Sequence, residues 1–173
     1  MSECQSFDPV ADTDSRLLIL GSMPGVRSLQ MQQYYGHPQN RFWPLLAALL
    51  GYQEVPAAYA DRKRMLIDNR IALWDVLGCC EREGSLDADI TGERPNDLAG
   101  FLQRHPQIHT ICCNGGKAAA ARNGKHGAAF KKYTRQLDLQ GITVHCLPST
   151  SPANARWSLT KLLEAWQVIN TGR

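Results

Sequence analysis

Short, mostly apolar runs alternate along the chain with longer segments whose apolar positions recur every three or four residues. The runs are "RLLIL" at 16–20, "IALWDVL" at 71–77, "IHTICC" at 108–113 and "ITVHCL" at 142–147. Each run predicts a strand, and "RLLIL" is of the kind buried on both faces of a parallel sheet. The helical segments are "FWPLLAALLGY" at 42–52, "VPAAYADRKRMLIDNR" at 55–70, "NDLAGFLQR" at 96–104, "NGGKAAAA" running from a glycine turn at 114–121, and "WSLTKLLEAWQVI" at 157–169. Asn40 and Asn96 are natural N-caps and Gly51 a natural C-terminal stop. Pro44 and Pro56 fall in first turns, where a missing N–H costs nothing.

Strands alternating with helices imply right-handed crossovers. The predicted fold class is therefore α/β, a three-layer α/β/α sandwich around a mostly parallel sheet of four strands. Residues 1–15 are polar without a clear period and predict a loose lead-in, leaving residues 16–173 as one domain. A length of 173 residues with 43% hydrophobic content is enough to bury a core.

Composition narrows the function classes. No stretch of 18 or more apolar residues and no basic-then-apolar leader is present, so a cytoplasmic protein without a membrane span is expected. Four of the six cysteines are the adjacent pairs Cys79-Cys80 and Cys112-Cys113. Neighbours in a strand point to opposite faces, which predicts reduced thiols instead of a disulfide framework. There is no CxxC and no histidine at ligand spacing from a cysteine, so no metal is expected. The net charge of +3 decides little, but Lys117, Arg122, Lys125, Lys131, Lys132 and Arg135 share a stretch without an acidic residue. That stretch reads either as a solvated helix face or as a phosphate contact.

In open α/β sheets ligands bind outside the carboxyl ends of the strands. There the sequence places "GSMPG" (Gly21, Ser22, Met23, Pro24, Gly25), "WDVLG" with Asp75, "NGGK" with Asn114 and Lys117, and "PSTSPAN" (148–154). The glycine turn offers backbone amides to a phosphate or a carbonyl oxygen, yet it is neither GxxxxGK[ST] nor GxGxxG. Tyr34, Tyr35, His37, Asn40, Phe42 and Trp43 lie within ten residues of one another. Aromatic faces stack on bases, and amides read base edges or hold a water. Phe42 and Trp43 also suit the core, and Asn40 also suits a cap. "PSTSPAN" supplies hydroxyls and prolines fit for a rigid loop on phosphodiester oxygens, or for an ordinary capped turn.

"GSMPG", "HPQNRFW" and "LPSTSPAN", in this order and strand-loop context, resemble the uracil-DNA glycosylase superfamily, and most closely its hypoxanthine-DNA (deoxyinosine) glycosylase branch. The resemblance runs from about Leu17 to the final helix; "NRFW" is also similar to mismatch-specific uracil-DNA glycosylases. It implies a four-stranded parallel sheet and cofactor-free, monofunctional release of a deaminated base, most closely hypoxanthine, flipped out of DNA. DNA is the implied partner, and a monomer is expected. Phe42 matches the base-stacking aromatic, and Gly21 to Gly25 the pocket floor. Asp75 sits near a base-reading asparagine and would accept a purine hydrogen bond, orient a neighbour, or serve as a capping carboxylate. Asn114 and Lys117 fall at a pocket-edge turn. Ser149, Thr150, Ser151, Pro152 and Asn154 match the DNA-gripping loop, with either Pro148-Ser149 or Ser151-Pro152 aligned to its core.

Two departures from the superfamily pattern matter. Met23 stands where many relatives carry an Asp or Asn that handles the attacking water, which by the hypoxanthine branch's pattern moves the catalytic role to Asn40. Gly25 replaces a bulky tyrosine of uracil-specific relatives and would leave room for a two-ring purine. The rival readings are a mismatch-type uracil-DNA glycosylase, a non-catalytic nucleic-acid binder, and a metal-dependent nucleotide hydrolase.

Overall fold

A computed structural model describes residues 2–115 and 141–173. Its centre is a four-stranded, wholly parallel sheet in the order β3-β2-β6-β7, built from β2 (Leu17–Gly21), β3 (Ile71–Asp75), β6 (Thr110–Asn114) and β7 (Thr143–Leu147). All five residues of β2 and of β3 are buried, as expected for strands covered on both faces. The pleat divides them: Leu17, Ile19, Ile71, Leu73 and Cys112 enter one core, and Leu18, Leu20, Ala72, Trp74 and Ile111 the other.

The first core is closed by α2 (Phe42–Leu49), α3 (Tyr59–Asp68), α5 (Leu159–Ala165) and α6 (Val168–Thr171), through side chains such as Leu45, Leu46, Leu66, Leu162 and Ile169. The second is closed by Leu98 and Phe101 of α4 (Leu98–Arg104). A short α1 (Val26–Met31) follows the first glycine turn. This is the expected three-layer arrangement. Cys112 and Cys113 point to opposite faces, as adjacent strand residues must, and all six cysteines are free thiols.

The local boundaries differ from those expected. The cap of α4 is Asp97, whose side chain accepts from Gly100 N, not Asn96; Asn96 instead donates its amide to the backbone oxygen of Asp75 at 2.9 Å. The helix after Val55 begins only at Tyr59, and the closing helix is divided into α5 and α6.

The larger difference is a second, antiparallel sheet in the order β1-β4-β5, formed by β1 (Ser2–Gln5), β4 (Leu77–Arg82) and β5 (Thr91–Pro95). The expected loose lead-in thus contains a strand paired from Ser2 with Arg82 to Gln5 with Cys79, and Val10 bridges Leu73. Polarity misled because only Cys4 of β1 is buried; the strand is held by ladder hydrogen bonds and not by an apolar face. The expected helix after Gly115 and the basic stretch from Lys117 to Arg135 lie outside the described residues. Among the described residues no helix is long and apolar enough to cross a membrane.

Candidate active site

A pocket of about 490 Å³ opens where the parallel strands end. Its floor follows from the register: Gly21 ends β2 beside Asp75, which ends β3, and Asn114 ends β6. A methyl group on Gly21 would collide with Asp75 Oδ1, so only glycine lets the two strand ends close up here.

The walls are three segments tied to that floor. The first is the turn Ser22 to Gly25, clamped by the tip of the β4-β5 hairpin. Ser22 Oγ donates to Asp87 Oδ2 at 2.8 Å, Val26 N donates to Ser85 Oγ at 2.9 Å, and the buried Arg82 guanidinium donates to Pro24 O. Met23 lines the pocket and packs in a small cluster with Cys4, Leu77 and Cys80.

Residues 34–42 make the second wall. Tyr34 is pinned at both ends: its N–H donates to Tyr59 Oη, its hydroxyl donates to the Phe7 and Asp8 carbonyls, and its carbonyl accepts from Trp43 Nε1. Asn40 Oδ1 accepts from Phe42 N at 3.0 Å, an Asx turn that starts α2 one residue before its formal cap, Arg41. The carboxamide N–H groups of Asn40 make no hydrogen bond among the described residues.

The third wall is Ser149 to Asn154. Asn114 Nδ2 donates to Thr150 Oγ1 at 3.0 Å and Asn114 Oδ1 accepts from Thr150 N at 3.1 Å. Arg41 donates from its guanidinium to the carbonyls of Ser151 and Asn154, and its own N–H meets Thr150 O. Trp166 Nε1 fixes Pro148 O at 2.9 Å, and Asn154 Nδ2 folds back to Ser149 O. The loop is braced because its backbone carbonyls accept from the caps of α2 and α5, Arg41 and Trp166, and the Thr150 N–H donates to Asn114 at the end of β6.

The pocket lining brings together Asn40, Gly21, Ser22, Met23, Pro24, Gly25, Asp75, Asn114, Ser149, Thr150, Ser151, Pro152 and Asn154. Lys117 lies outside the described residues. Phe42 is a correction: it is fully buried behind the lining, its face covered by the Tyr35 ring. Thr150 is a second, since it is also fully buried and its hydroxyl serves Asn114 instead of facing outward. Gly25 lines the pocket, and the nearest atom to a side chain there would be Ser85 Oγ at 3.2 Å, so the glycine also makes room for the hairpin tip.

Sequence reasoning did not assign Tyr35, Arg41 or the hairpin tip Ser85 to Ala88 to the site. Tyr35 carried a signal in the density of rings and amides around it. The hairpin carried none, because its tip is polar and its strands lack alternation.

The electrostatics centre on Asp75. Removal from water raises its carboxyl to about 7; the hydrogen bond from Ser6 Oγ at 2.7 Å opposes this, and the nearby Asp87 charge adds to it. Burial, then the Asp75 charge, push the Tyr35 phenol far up against a smaller opposing effect of the Asn114 amide, so it stays protonated. Among the described residues no group of three or more His, Cys, Asp or Glu side chains is placed to hold a metal ion.

Residues 8–170 match the family described as the uracil DNA glycosylase superfamily. A protein of Methanosarcina acetivorans named hypoxanthine DNA glycosylase is 37% identical over 165 residues, covering 95% of this chain and 96% of its own. One of the same name from Methanosarcina barkeri is 35% identical over 162 residues, 94% of each chain. The solution NMR structure of a candidate uracil DNA glycosylase from Methanosarcina acetivorans superposes with a TM-score of 0.76 at 34% identity, covering 98% of this chain and 99% of that one.

Proposed function

The chain belongs to the uracil-DNA glycosylase superfamily, and on that footing we propose that it is a monofunctional DNA glycosylase that flips a deaminated base, hypoxanthine first, out of DNA and releases it by hydrolysis. The observation that carries this reading is the pocket itself. It holds about 490 Å³ at the carboxyl ends of four parallel strands, within the range of small-ligand sites and ample for a purine. The two relatives named hypoxanthine DNA glycosylase set the order of substrates.

Hydrolysis breaks the bond between the sugar C1′ and the base nitrogen. The electron pair leaves with the base, and a water oxygen bonds to C1′. Positive charge gathers on the sugar and negative charge on the base, and preorganised dipoles that meet those charges lower the barrier. Asn40 would hold the water: its Oδ1 keeps a second lone pair after accepting from Phe42 N, and its N–H groups are available to donate. Met23, buried in its own cluster, takes no part. Asp75, protonated below about pH 7, would donate to an acceptor on the purine edge. Ser149, Ser151 and Asn154, on their braced loop, would grip the DNA backbone, with Lys117 as a further phosphate contact. We take the working form to be a cytoplasmic monomer; the three walls of the pocket among the described residues all come from one chain.

The test is incubation with duplexes carrying hypoxanthine, uracil, xanthine or a thymine mismatch, followed by alkaline cleavage of abasic sites. Cleavage of the hypoxanthine strand with chelator present is the expected result. Uracil strands cut while hypoxanthine strands stay intact would make the protein a uracil enzyme, and binding without any cleavage would make it a non-catalytic member.

A further inference from the structure

Arg82, on β4, is a charged side chain at 1% exposure, and its Nε and Nη1 have no hydrogen-bond partner among the described residues. A buried charge costs stability unless it is paired, and this one is paired loosely: Nη1 lies 3.8 Å from Asp87 Oδ1, beyond hydrogen-bond reach, while Nη2 donates to Pro24 O. Both contacts lead to the pocket. Pro24 and Asp87 line it, so the guanidinium stands directly behind the wall made by the glycine turn and the hairpin tip. Its charge draws one carboxylate to that wall.

Asp87 is held from a second side, where its Oδ2 accepts from Ser22 Oγ at 2.8 Å, and its side chain still keeps 27% of its surface exposed at the cavity. A carboxylate has about four lone-pair sites and can only accept. Asp75 on the floor is the opposite kind: removal from water and the Asp87 charge hold its carboxyl protonated up to about pH 7, and a protonated carboxyl donates. The cavity therefore presents an acceptor near a donor. Deaminated bases carry a carbonyl oxygen next to a ring N–H, which is the complement of that pair, whereas their amino parents carry an amino group next to a bare ring nitrogen. The two edges are inverses of each other.

We propose that Asp87 is a specificity-determining residue of the pocket, accepting the ring N–H beside the carbonyl of a deaminated purine and meeting adenine with lone pair against lone pair. The inference rests on reading this cavity as the base pocket and names the edge by which the base is told from its parent. With Asp75 donating to the carbonyl oxygen, hypoxanthine and xanthine satisfy both carboxyls. Adenine in the same pose satisfies neither. A site built to hydrogen-bond its ligand rejects a mismatched one more strongly than a site that only fits its shape. Arg82, behind the wall, is the positioning residue for the carboxylate.

Binding is measured by fluorescence anisotropy on duplexes carrying one uncleavable 2′-fluorinated residue: deoxyinosine, the unsubstituted purine nucleoside that lacks both the carbonyl and the N–H, or deoxyadenosine. The parent should prefer the inosine duplex to the other two. Asp87→Ala should cut the preference for inosine over purine by roughly 10- to 100-fold, the scale of one hydrogen bond to a charged group. Asp87→Asn keeps an oxygen for Ser22 and offers adenine a donor, so it should narrow the preference for inosine over adenine while folding like the parent. A carboxylate that only braced the glycine turn would weaken all three duplexes alike and leave the ratios fixed. Fixed ratios in either folded variant, or a parent that binds the three duplexes equally, overturn the proposal. Cleavage of ordinary inosine DNA by the parent is followed in parallel, so a failure of the glycosylase reading shows as missing product, whatever the binding ratios do.

Discussion

Asn114 and Thr150 bind each other twice, side-chain amide to hydroxyl at 3.0 Å and backbone amide to side-chain oxygen at 3.1 Å, with both residues buried. This pair welds the end of β6 to the loop 149–154, so the loop proposed to grip DNA is positioned by a strand end and not by its own turns alone.

Asn114→Ala should therefore act through the loop. It leaves a buried hydroxyl and a buried N–H without partners, a loss of about 1–3 kcal/mol each at most. Urea unfolding should show a destabilisation of that order, and binding of abasic duplex should weaken while the affinity for free hypoxanthine changes less. Unchanged DNA affinity in a folded variant would free the loop from any dependence on this pair.

The central sheet was legible because its two inner-core runs, β2 and β3, are apolar throughout up to ends with unusual chemistry, and the shorter mixed runs of β6 and β7 follow helical segments in the same alternating order. Gly21, Asp75 and Asn114 could be placed at one edge from the chain's pattern, since parallel order brings strand ends together. The second sheet was not legible: β5 has no buried residue, and β4 buries an arginine, Arg82, that a sequence reading assigns to solvent. Nor could the order of rings be read. "YYGHPQNRFW" supplies candidates, but which one faces the pocket is decided by the left-handed turn at Tyr35, and nothing in the residue type forecasts it.

Asp75 should make stability fall as pH rises. Its carboxyl titrates at about 7 in the fold against an ordinary value of 3.8, so the folded state binds the proton more tightly. That contribution is complete below about pH 4, declines between about 4 and 7, and is gone above. Asp75→Asn, isosteric and neutral, should remove this segment of the profile and show its largest gain over the parent above pH 7. Parallel urea titrations of the two proteins across that range measure the difference; curves of the same shape would mean that Asp75 ionises normally.

Binding should weaken steeply with salt. If the basic stretch from Lys117 to Arg135 neutralises phosphates, log affinity falls linearly with log salt. Lys117→Ala should lower the slope by about 1 and reduce affinity uniformly across sequences. Fluorescence anisotropy of labelled duplex over a salt series reads both, and a slope left unchanged would remove Lys117 from the phosphate contacts.

Asn40 joins two roles in one side chain, and substitutions can part them. Its Oδ1 caps Phe42 N at 3.0 Å, while its N–H groups are proposed to hold the attacking water. Asn40→Ala removes both, and should cost about 1 kcal/mol of stability together with a loss of roughly 10² to 10³ in single-turnover cleavage, the scale seen when one preorganised transition-state contact is deleted. Asn40→Ser keeps an oxygen able to accept from the same backbone amide but has no carboxamide to reach the water. It should melt close to the parent and cleave as poorly as Asn40→Ala. Thermal melting and single-turnover cleavage of inosine DNA, measured on both variants, decide the matter. Should Asn40→Ser cleave at the parental rate, Asn40 is a cap, and Asp75 becomes the remaining polar side chain at the floor with a titration near neutral pH suited to the chemistry.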